Sequence, residues 1–213
     1  MTTRIILARH GNTFTKDQTP TRVGCRTDLP LVESERGTNI GRYLEARHMV
    51  PDYVYAAPLK RTAETARLAI AAMGGNIPLA FDDSFVEIDY GPDENKTEDE
   101  VIARIGQAAI DRWNQDAIVP DGWKVSVEGI IKAWQDFANK VEKEHKDQTV
   151  LVVSSNGIIR FAPYLTGDFK KFTSEHDIKV GTGSVCVLTK DDGDKFWSCT
   201  EWGTKPKDYF KQA

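Results

Sequence analysis

Hydrophobic residues fall into two alternating patterns along this chain. Short runs such as Ile5-Ile6-Leu7 and Val150-Leu151-Val152-Val153 are apolar at consecutive positions, which is typical of strands covered on both faces. Between them, apolar residues recur three and four positions apart, which favours amphipathic helices. We predict strands at 4–8, 53–56, 79–81 and 149–154, and helices at 35–47, 60–73, 97–115, 126–145 and 158–165.

This order of elements predicts the fold class. Strands that alternate with helices form a mainly parallel sheet covered on both faces, so we expect an α/β fold, a three-layer α/β/α sandwich. The tail predicts an antiparallel edge hairpin, with strands at 185–189 and 196–200 joined by Asp192-Gly193. We predict one domain over 1–213, in which 92–148 is a small helical lid or insertion.

Composition and charge narrow the function classes. Of the 213 residues, 40% are hydrophobic, which is enough to bury one good core. The net charge is -4, which gives no basic surface for nucleic acid or an anionic membrane. No apolar run approaches the ~20 residues of a membrane span, and the first residues lack the pattern of a secretory signal. We therefore expect a cytoplasmic protein without nucleic-acid or membrane partners.

The cysteines predict neither a metal site nor a redox motif. Cys25, Cys186 and Cys199 form no CxxC pair and no metal-ligand spacing, so we expect no zinc. A hairpin turning at 192–193 would set Cys186 directly opposite Cys199. We expect two small buried thiols there, with a disulfide as the alternative.

Candidate chemistry begins at the end of the first strand. Arg9, His10 and Gly11 follow the apolar run, at the end of a strand where open α/β sheets hold their ligands. A neutral imidazole can attack phosphorus, and the planar guanidinium of Arg9 offers several donors to phosphate oxygens. The other interpretation is an ordinary histidine at a strand end.

Two further residues fit the same chemistry. Arg61 falls in the first turn of the helix that Pro58 opens, where backbone N–H groups favour an anion. A cation is slightly disfavoured at this position, which favours a function for Arg61 over the alternative of an ordinary solvated charge. Glu87 lies between Val86 and Ile88, and apolar surroundings favour the protonated carboxyl that a leaving alkoxide needs. A solvent-facing glutamate on an edge strand is the alternative for Glu87.

Five segments, taken in order, resemble the histidine phosphatase superfamily, also called the phosphoglycerate mutase-like family. The segments are 9–11, 24–31, 52–66, 85–97 and 150–160. The resemblance implies that His10 becomes a phosphohistidine, that Glu87 is the proton donor and that Arg9 and Arg61 bind phosphate. It also implies that Asn12 and Lys16 bind phosphate. Asn12 stands where a Glu is common in relatives, and Lys16 falls near the position at which relatives often place an Asn that touches phosphate.

One departure from the family pattern bears directly on activity. Ser155 stands where relatives carry a second histidine that holds the phosphoryl group, and Asn156 follows it. Losing one preorganised donor typically costs ~10²- to 10³-fold in rate, but a serine hydroxyl is still a donor, so we expect reduced activity. His48 and His145 are predicted at the surface, and His176 is left open as a substitute.

These observations predict a phosphoric monoester hydrolase with a small phosphorylated substrate, no cofactor and no metal. The segment 91–96 is short and acidic, resembling the phosphatase branch rather than the mutases with their long lid, so a phosphoglycerate-type mutase ranks lower. The alternative is a catalytically impaired relative that binds a phosphorylated ligand or a protein partner. Substrate identity and oligomeric state stay open, because the selecting residues lie in loops.

Overall fold

Six strands form a single sheet in the computed structural model, which describes residues 1–211. The strands are β1 (Thr2–Arg9), β2 (Tyr53–Ala56), β3 (Leu79–Phe81), β4 (Thr149–Ser154), β5 (Val185–Asp191) and β6 (Ser198–Thr204). Their order is β3-β2-β4-β1-β5-β6. The four strands β1, β2, β3 and β4 are parallel to one another, whereas β5 and β6 add an antiparallel edge, as the sequence predicts.

Helices cover both faces of the sheet. They are α1 (Glu35–Ala46), α2 (Lys60–Ala72), α3 (Glu98–Ile105), α4 (Gln107–Asp116), α5 (Val127–Glu144), α6 (Asn156–Ile159), α7 (Phe169–Glu175) and α8 (Pro206–Tyr209). Side chains alternate along β1, so that Ile6 packs with α1 and α2 while Ile5 and Leu7 pack with α4, α5 and α6. The predicted three-layer α/β/α sandwich is confirmed.

Two predicted helices differ from the observed ones. The helix predicted over 97–115 is two helices, because Gly106 has φ +82° and separates α3 from α4. The helix predicted over 158–165 is the short α6 followed by a 3-10 turn at Ala162–Thr166, which contains Pro163. Helix α7 was not predicted, although Asp168 caps it by accepting from Lys171 N at 2.9 Å.

The prediction that Cys186 lies directly opposite Cys199 is wrong, and of the two thiols expected to be buried only that of Cys186 is, whereas Cys199 is half-buried. Irregular register between β5 and β6 places Cys199 opposite Leu188, and Cys186 Sγ accepts instead from Gly203 N at 3.3 Å. The loop between β5 and β6 covers residues 192–197, so the register beside it, Thr189 opposite Ser198, already differs from that of a two-residue turn at 192–193, and the bulges lie farther along the strands. All three cysteines are free thiols.

The carboxyl ends of the central strands bring distant loops together. Arg9 lies beside Ser154 in the β1–β4 pair, and His10 N donates to Ser154 O at 3.1 Å. Gly183 N approaches from the other side and lies 3.0 Å from Arg9 O and 3.1 Å from His10 O. The residues that follow β1, β4 and the segment before β5 therefore share one edge of the sheet. None of the described helices is long and apolar enough to cross a membrane.

Candidate active site

The imidazole of His10 is held in its neutral form. Its Nδ1–H donates to Gly11 O at 2.7 Å, and because a carbonyl only accepts, the lone pair is left on Nε2. His10 is only 6% exposed, and this burial, with the charges of Arg9 and Arg61, holds its pKa well below the ordinary value. Gly11 N also donates to Thr65 Oγ1 at 3.0 Å, which ties the turn to α2.

Three guanidinium groups lie near Glu87, and two of them, those of the half-buried Arg9 and the buried Arg61, also lie near His10. Arg9 Nη1 donates to Val180 O at 2.6 Å, and Arg61 donates from Nη1 to Thr27 O at 2.9 Å. The third is Arg160, whose Nη1 donates to Trp113 O and whose guanidinium lies 3.9 Å from the centre of the Trp113 ring. Burial lowers the pKa of all three, that of Arg160 to about 10.

None of these three arginines forms an ion pair with a carboxylate in the described chain. The surface arginines 22, 26, 36, 47 and 104 each have such a pair. The Nε atoms of Arg9 and Arg61 and the Nη2 atom of Arg160 are buried without a protein acceptor. Since a buried charge is costly unless it is paired, these groups fit an anionic ligand.

Glu87 is buried among the arginines rather than facing solvent. It is 6% exposed, so the alternative of a solvent-facing glutamate on an edge strand is wrong. Its Oε1 accepts from Ile88 N at 3.0 Å, while Oε2 accepts from Gly157 N at 3.3 Å and from the Tyr90 hydroxyl at 3.5 Å. A Cβ at Gly157 would overlap the Glu87 carboxylate, which explains why glycine is needed there.

The turn after β4 offers a free hydroxyl. Ser155 is fully buried, it precedes α6, and its Oγ has no protein partner. The side-chain oxygen of Asn156 already has a protein partner, because Oδ1 accepts a hydrogen bond from Val180 N at 2.8 Å. Ser155 therefore has a polar atom to offer a ligand, whereas the Asn156 side-chain oxygen holds the segment before β5.

Two predicted phosphate ligands lie less centrally. Asn12 is half-buried, and its Oδ1 accepts from Thr182 Oγ1 at 2.7 Å. Lys16 is exposed, and none of the hydrogen bonds or ion pairs of the described residues involves its side chain. Their contact with phosphate stays a prediction.

The remaining histidines lie outside the site. His48 is exposed as predicted, and His176 is exposed and stacks on Phe172, with ring centres 4.5 Å apart. The prediction that His145 is a surface residue is wrong. His145 is buried between Tyr55 and Gln148, each 3.0 Å from one of its ring nitrogens, because the end of α5 packs against β2.

Sequence reasoning missed Arg160, Tyr90 and Glu94 as parts of the site. Arg160 ends the segment that contains Ser155, and this position in the sequence could have identified it.

The charges of Arg9, Arg61 and Arg160 exceed that of Glu87 while His10 is neutral, which suits a doubly charged oxyanion. Within residues 1–211, no group of three or more His, Cys, Asp or Glu side chains could hold a metal ion.

Comparison with known proteins identifies the family. The sequence pattern of the histidine phosphatase superfamily (branch 1) matches residues 5–204. The chain belongs to this superfamily. The resemblance to this superfamily that the sequence motifs indicate is therefore confirmed over nearly the whole chain.

Curated relatives include both phosphatases and mutases. Phosphoserine phosphatase 1 of Hydrogenobacter thermophilus is 31% identical over 153 residues, which cover 66% of this chain and 68% of the relative. A 2,3-bisphosphoglycerate-dependent phosphoglycerate mutase of Parvibaculum lavamentivorans is 23% identical over 202 residues, covering 88% of this chain and 90% of the mutase. The family and these relatives support a phosphatase-type function.

Solved structures share the fold. A histidine-to-alanine mutant of phosphoserine phosphatase from Entamoeba histolytica, in complex with phosphoserine, superposes with a TM-score of 0.73 at 19% identity. The match covers 95% of this chain and 98% of that one. At this identity the similarity concerns the fold alone.

Proposed function

We propose that this protein hydrolyses phosphate monoesters through a phosphohistidine intermediate on His10. The observation that carries the proposal is a neutral imidazole with a free Nε2 that lies near the guanidinium groups of Arg9 and Arg61, neither of which pairs with a carboxylate. A phosphate dianion supplies the negative charge that these groups lack.

In the first step, the substrate phosphate binds to Arg9 and Arg61 through their free Nε donors and to the Ser155 hydroxyl. His10 Nε2 attacks phosphorus in line, so that the P–N bond forms as the ester P–O bond breaks. Glu87, which carries a proton in the substrate complex, gives this proton to the leaving oxygen, which departs as a neutral alcohol. Arg160 adds positive charge near Glu87.

In the second step, water attacks the phosphohistidine. Glu87, now a carboxylate, takes a proton from this water, and the P–N bond breaks to give inorganic phosphate and neutral His10. The buried arginines stabilise the charge that develops on the phosphoryl oxygens in both steps. Proton and phosphoryl group are thus accounted for over one cycle.

A mutase activity is the weaker candidate, although the curated relatives include mutases. The segment after Glu87 is a short turn, and its Asp93 is occupied by Arg104 and Trp123 at 2.5 to 2.7 Å. This arrangement leaves no long cationic lid to retain a bisphosphate. Water is therefore the proposed second acceptor.

Turnover of an aryl phosphate tests the proposal. His10→Asn should abolish hydrolysis, because amide nitrogen is not a nucleophile toward phosphorus. The matched control His48→Asn changes an exposed histidine at φ +53°, a conformation that asparagine adopts readily, and should keep the wild-type rate.

Phosphate binding separates the enzyme from a non-catalytic binder. If the wild-type protein binds inorganic phosphate but neither an aryl phosphate nor phosphoserine nor a phosphoglycerate is hydrolysed, the impaired binder is the correct description. If His10→Asn turns over as fast as the wild type, the phosphohistidine route is wrong.

A further inference from the structure

Glu94 holds a turn that lies far away in sequence. Its Oε1 accepts three hydrogen bonds, from Gly24 N at 3.0 Å, Arg26 N at 3.1 Å and Thr27 Oγ1 at 2.9 Å. Its Oε2 accepts from Tyr90 N at 3.4 Å. No cation pairs with Glu94 among the described residues, so its charge is satisfied by this turn.

The other side of the same turn binds Arg61. The carbonyl oxygens of Gly24 and Thr27 accept from Arg61 Nη2 at 3.2 Å and Nη1 at 2.9 Å. Amide groups of the turn thus point to Glu94 while its carbonyl groups point to Arg61, and such a series of hydrogen bonds polarises each member. Burial lowers the pKa of Arg61, and the charge of Glu94 is among those that oppose this lowering.

Close approach is built into the backbone here. A Cβ at Gly24 would overlap the Glu94 carboxylate and lie 2.6 Å from Ile88 O. Cys25 N also donates to Ile88 O at 3.1 Å, so the turn is fixed along its whole length to the segment that follows Glu87. The turn therefore determines where the Nη atoms of Arg61 lie, and with them the direction of its free Nε.

We propose that Glu94 is a positioning residue, which orients the Arg61 guanidinium toward the substrate phosphate by fixing the turn at 24–27. Glu94 touches neither His10 nor Ser155 by any hydrogen bond of the described chain, so its effect reaches phosphate through Arg61. This inference rests on the proposed function of Arg61 as a phosphate ligand.

Glu100 provides a matched control. It too is a carboxylate that accepts from a backbone amide and a threonine hydroxyl, Thr97 N at 2.8 Å and Thr97 Oγ1 at 3.1 Å. These contacts form the capping box of α3 and do not involve the turn at 24–27. E100Q thus changes a similar carboxylate in the same region without affecting Arg61.

A double-mutant cycle tests the proposal, with inorganic phosphate as the ligand in calorimetry and an aryl phosphate in kinetics. E94Q should weaken phosphate binding roughly tenfold, the size expected for one charge-assisted hydrogen bond, and should raise KM more than it lowers kcat. E100Q should match the wild type. In an R61A background, E94Q should have no further effect, because the two residues act in series.

Two results would overturn the inference: unchanged phosphate affinity in E94Q, or an equal loss in the presence and absence of Arg61. If E94Q does not fold by circular dichroism, T27V removes one of the three donors and should weaken phosphate in the same direction, again only when Arg61 is present. If R61A itself leaves phosphate affinity unchanged, the proposed function of Arg61 fails instead.

Discussion

At the scale of the residue, the site depends on charges that are buried without internal compensation. Arg9, Arg61 and Arg160 would each be expected to pair with a carboxylate, yet none does, and Glu87, whose charge acts on all three, accepts hydrogen bonds from Ile88, Gly157 and Tyr90 instead. Burial and the positive charges of Arg9 and Arg61 lower the pKa of His10, so its imidazole is neutral. The function proposed for His10 as a nucleophile and its cost to stability in acid therefore have the same origin.

Acid should destabilise the protein through His10. Burial and the two arginines hold its folded-state pKa well below about 6.5, the value expected in the unfolded chain. The unfolded state then binds more protons, so stability that is present above pH 6.5 is lost as the pH falls toward the folded pKa. The free energy of unfolding, measured in urea, should fall more steeply from about pH 7 to about pH 5 for the wild type than for His10→Asn.

His48→Asn is the control for this slope, because His48 is exposed. It should follow the wild type at every pH. Parallel curves for the wild type and His10→Asn would show that the imidazole titrates normally in the folded state.

Ser155→His should raise the rate of hydrolysis by roughly tenfold or more, because one preorganised donor is worth ~10²- to 10³-fold and the Ser155 hydroxyl already supplies part of this effect. Ser155→Ala should lower it, because the buried Oγ has no other partner. Ser154→Ala is the matched control, as the Ser154 hydroxyl donates to Phe85 O at 2.8 Å and should not touch substrate. Equal rates for all three variants in kinetics with an aryl phosphate would remove Ser155 from the site.

At the scale of the element, the segment after Glu87 is fastened to the helices that follow it. Asp93 is 1% exposed and accepts from Arg104 Nε at 2.6 Å and from Trp123 Nε1 at 2.7 Å. One carboxylate thereby joins α3, the loop before α5 and the 3-10 turn at Gly91–Asp93. The rigidity of this turn supports the placement of Tyr90 and Glu94.

Asp93→Ala should lower the free energy of unfolding by about 3 kcal/mol, because it leaves the buried Trp123 Nε1–H unpaired and removes both hydrogen bonds from Arg104. Asp136→Ala removes an exposed ion pair with Lys132 on α5 and should cost less than about 1 kcal/mol. Urea unfolding of both variants measures the difference. Equal losses would mean that the Asp93 contacts contribute no more than a surface pair.

At the scale of the whole molecule, the positions of the strands and the layered α/β/α arrangement follow from patterns that are local in sequence. Residues 5–7 and 150–153 are apolar at consecutive positions, so two central strands could be predicted, and their carboxyl ends located His10 and Ser155. Gly106 and Pro163 interrupt helical periodicity, and the predicted helices run past both. The predicted register of Cys186 and Cys199 was wrong because the strands are joined by a loop over 192–197 rather than by a two-residue turn at Asp192-Gly193.

Contacts between distant segments set the limits of sequence reasoning about the site. Arg9, His10, Arg61 and Glu87 could be selected because each lies in a motif with its own chemistry. The involvement of Arg160 depends on Trp113, and that of Glu94 on a turn about 70 residues earlier, as its contact with Gly24 spans 70 positions. His145 was misplaced for the same reason, since its partner Tyr55 lies 90 positions away.

Trapping the covalent intermediate tests the central claim most directly. Wild-type protein is mixed with an aryl phosphate, quenched within the first turnover under alkaline denaturing conditions that preserve phosphohistidine, digested and analysed by mass spectrometry. We expect one phosphoryl group on the peptide that contains His10, and none on that peptide from His10→Asn. Hydrolysis that proceeds with no phosphoryl group on His10, or with one on another residue, would contradict the account.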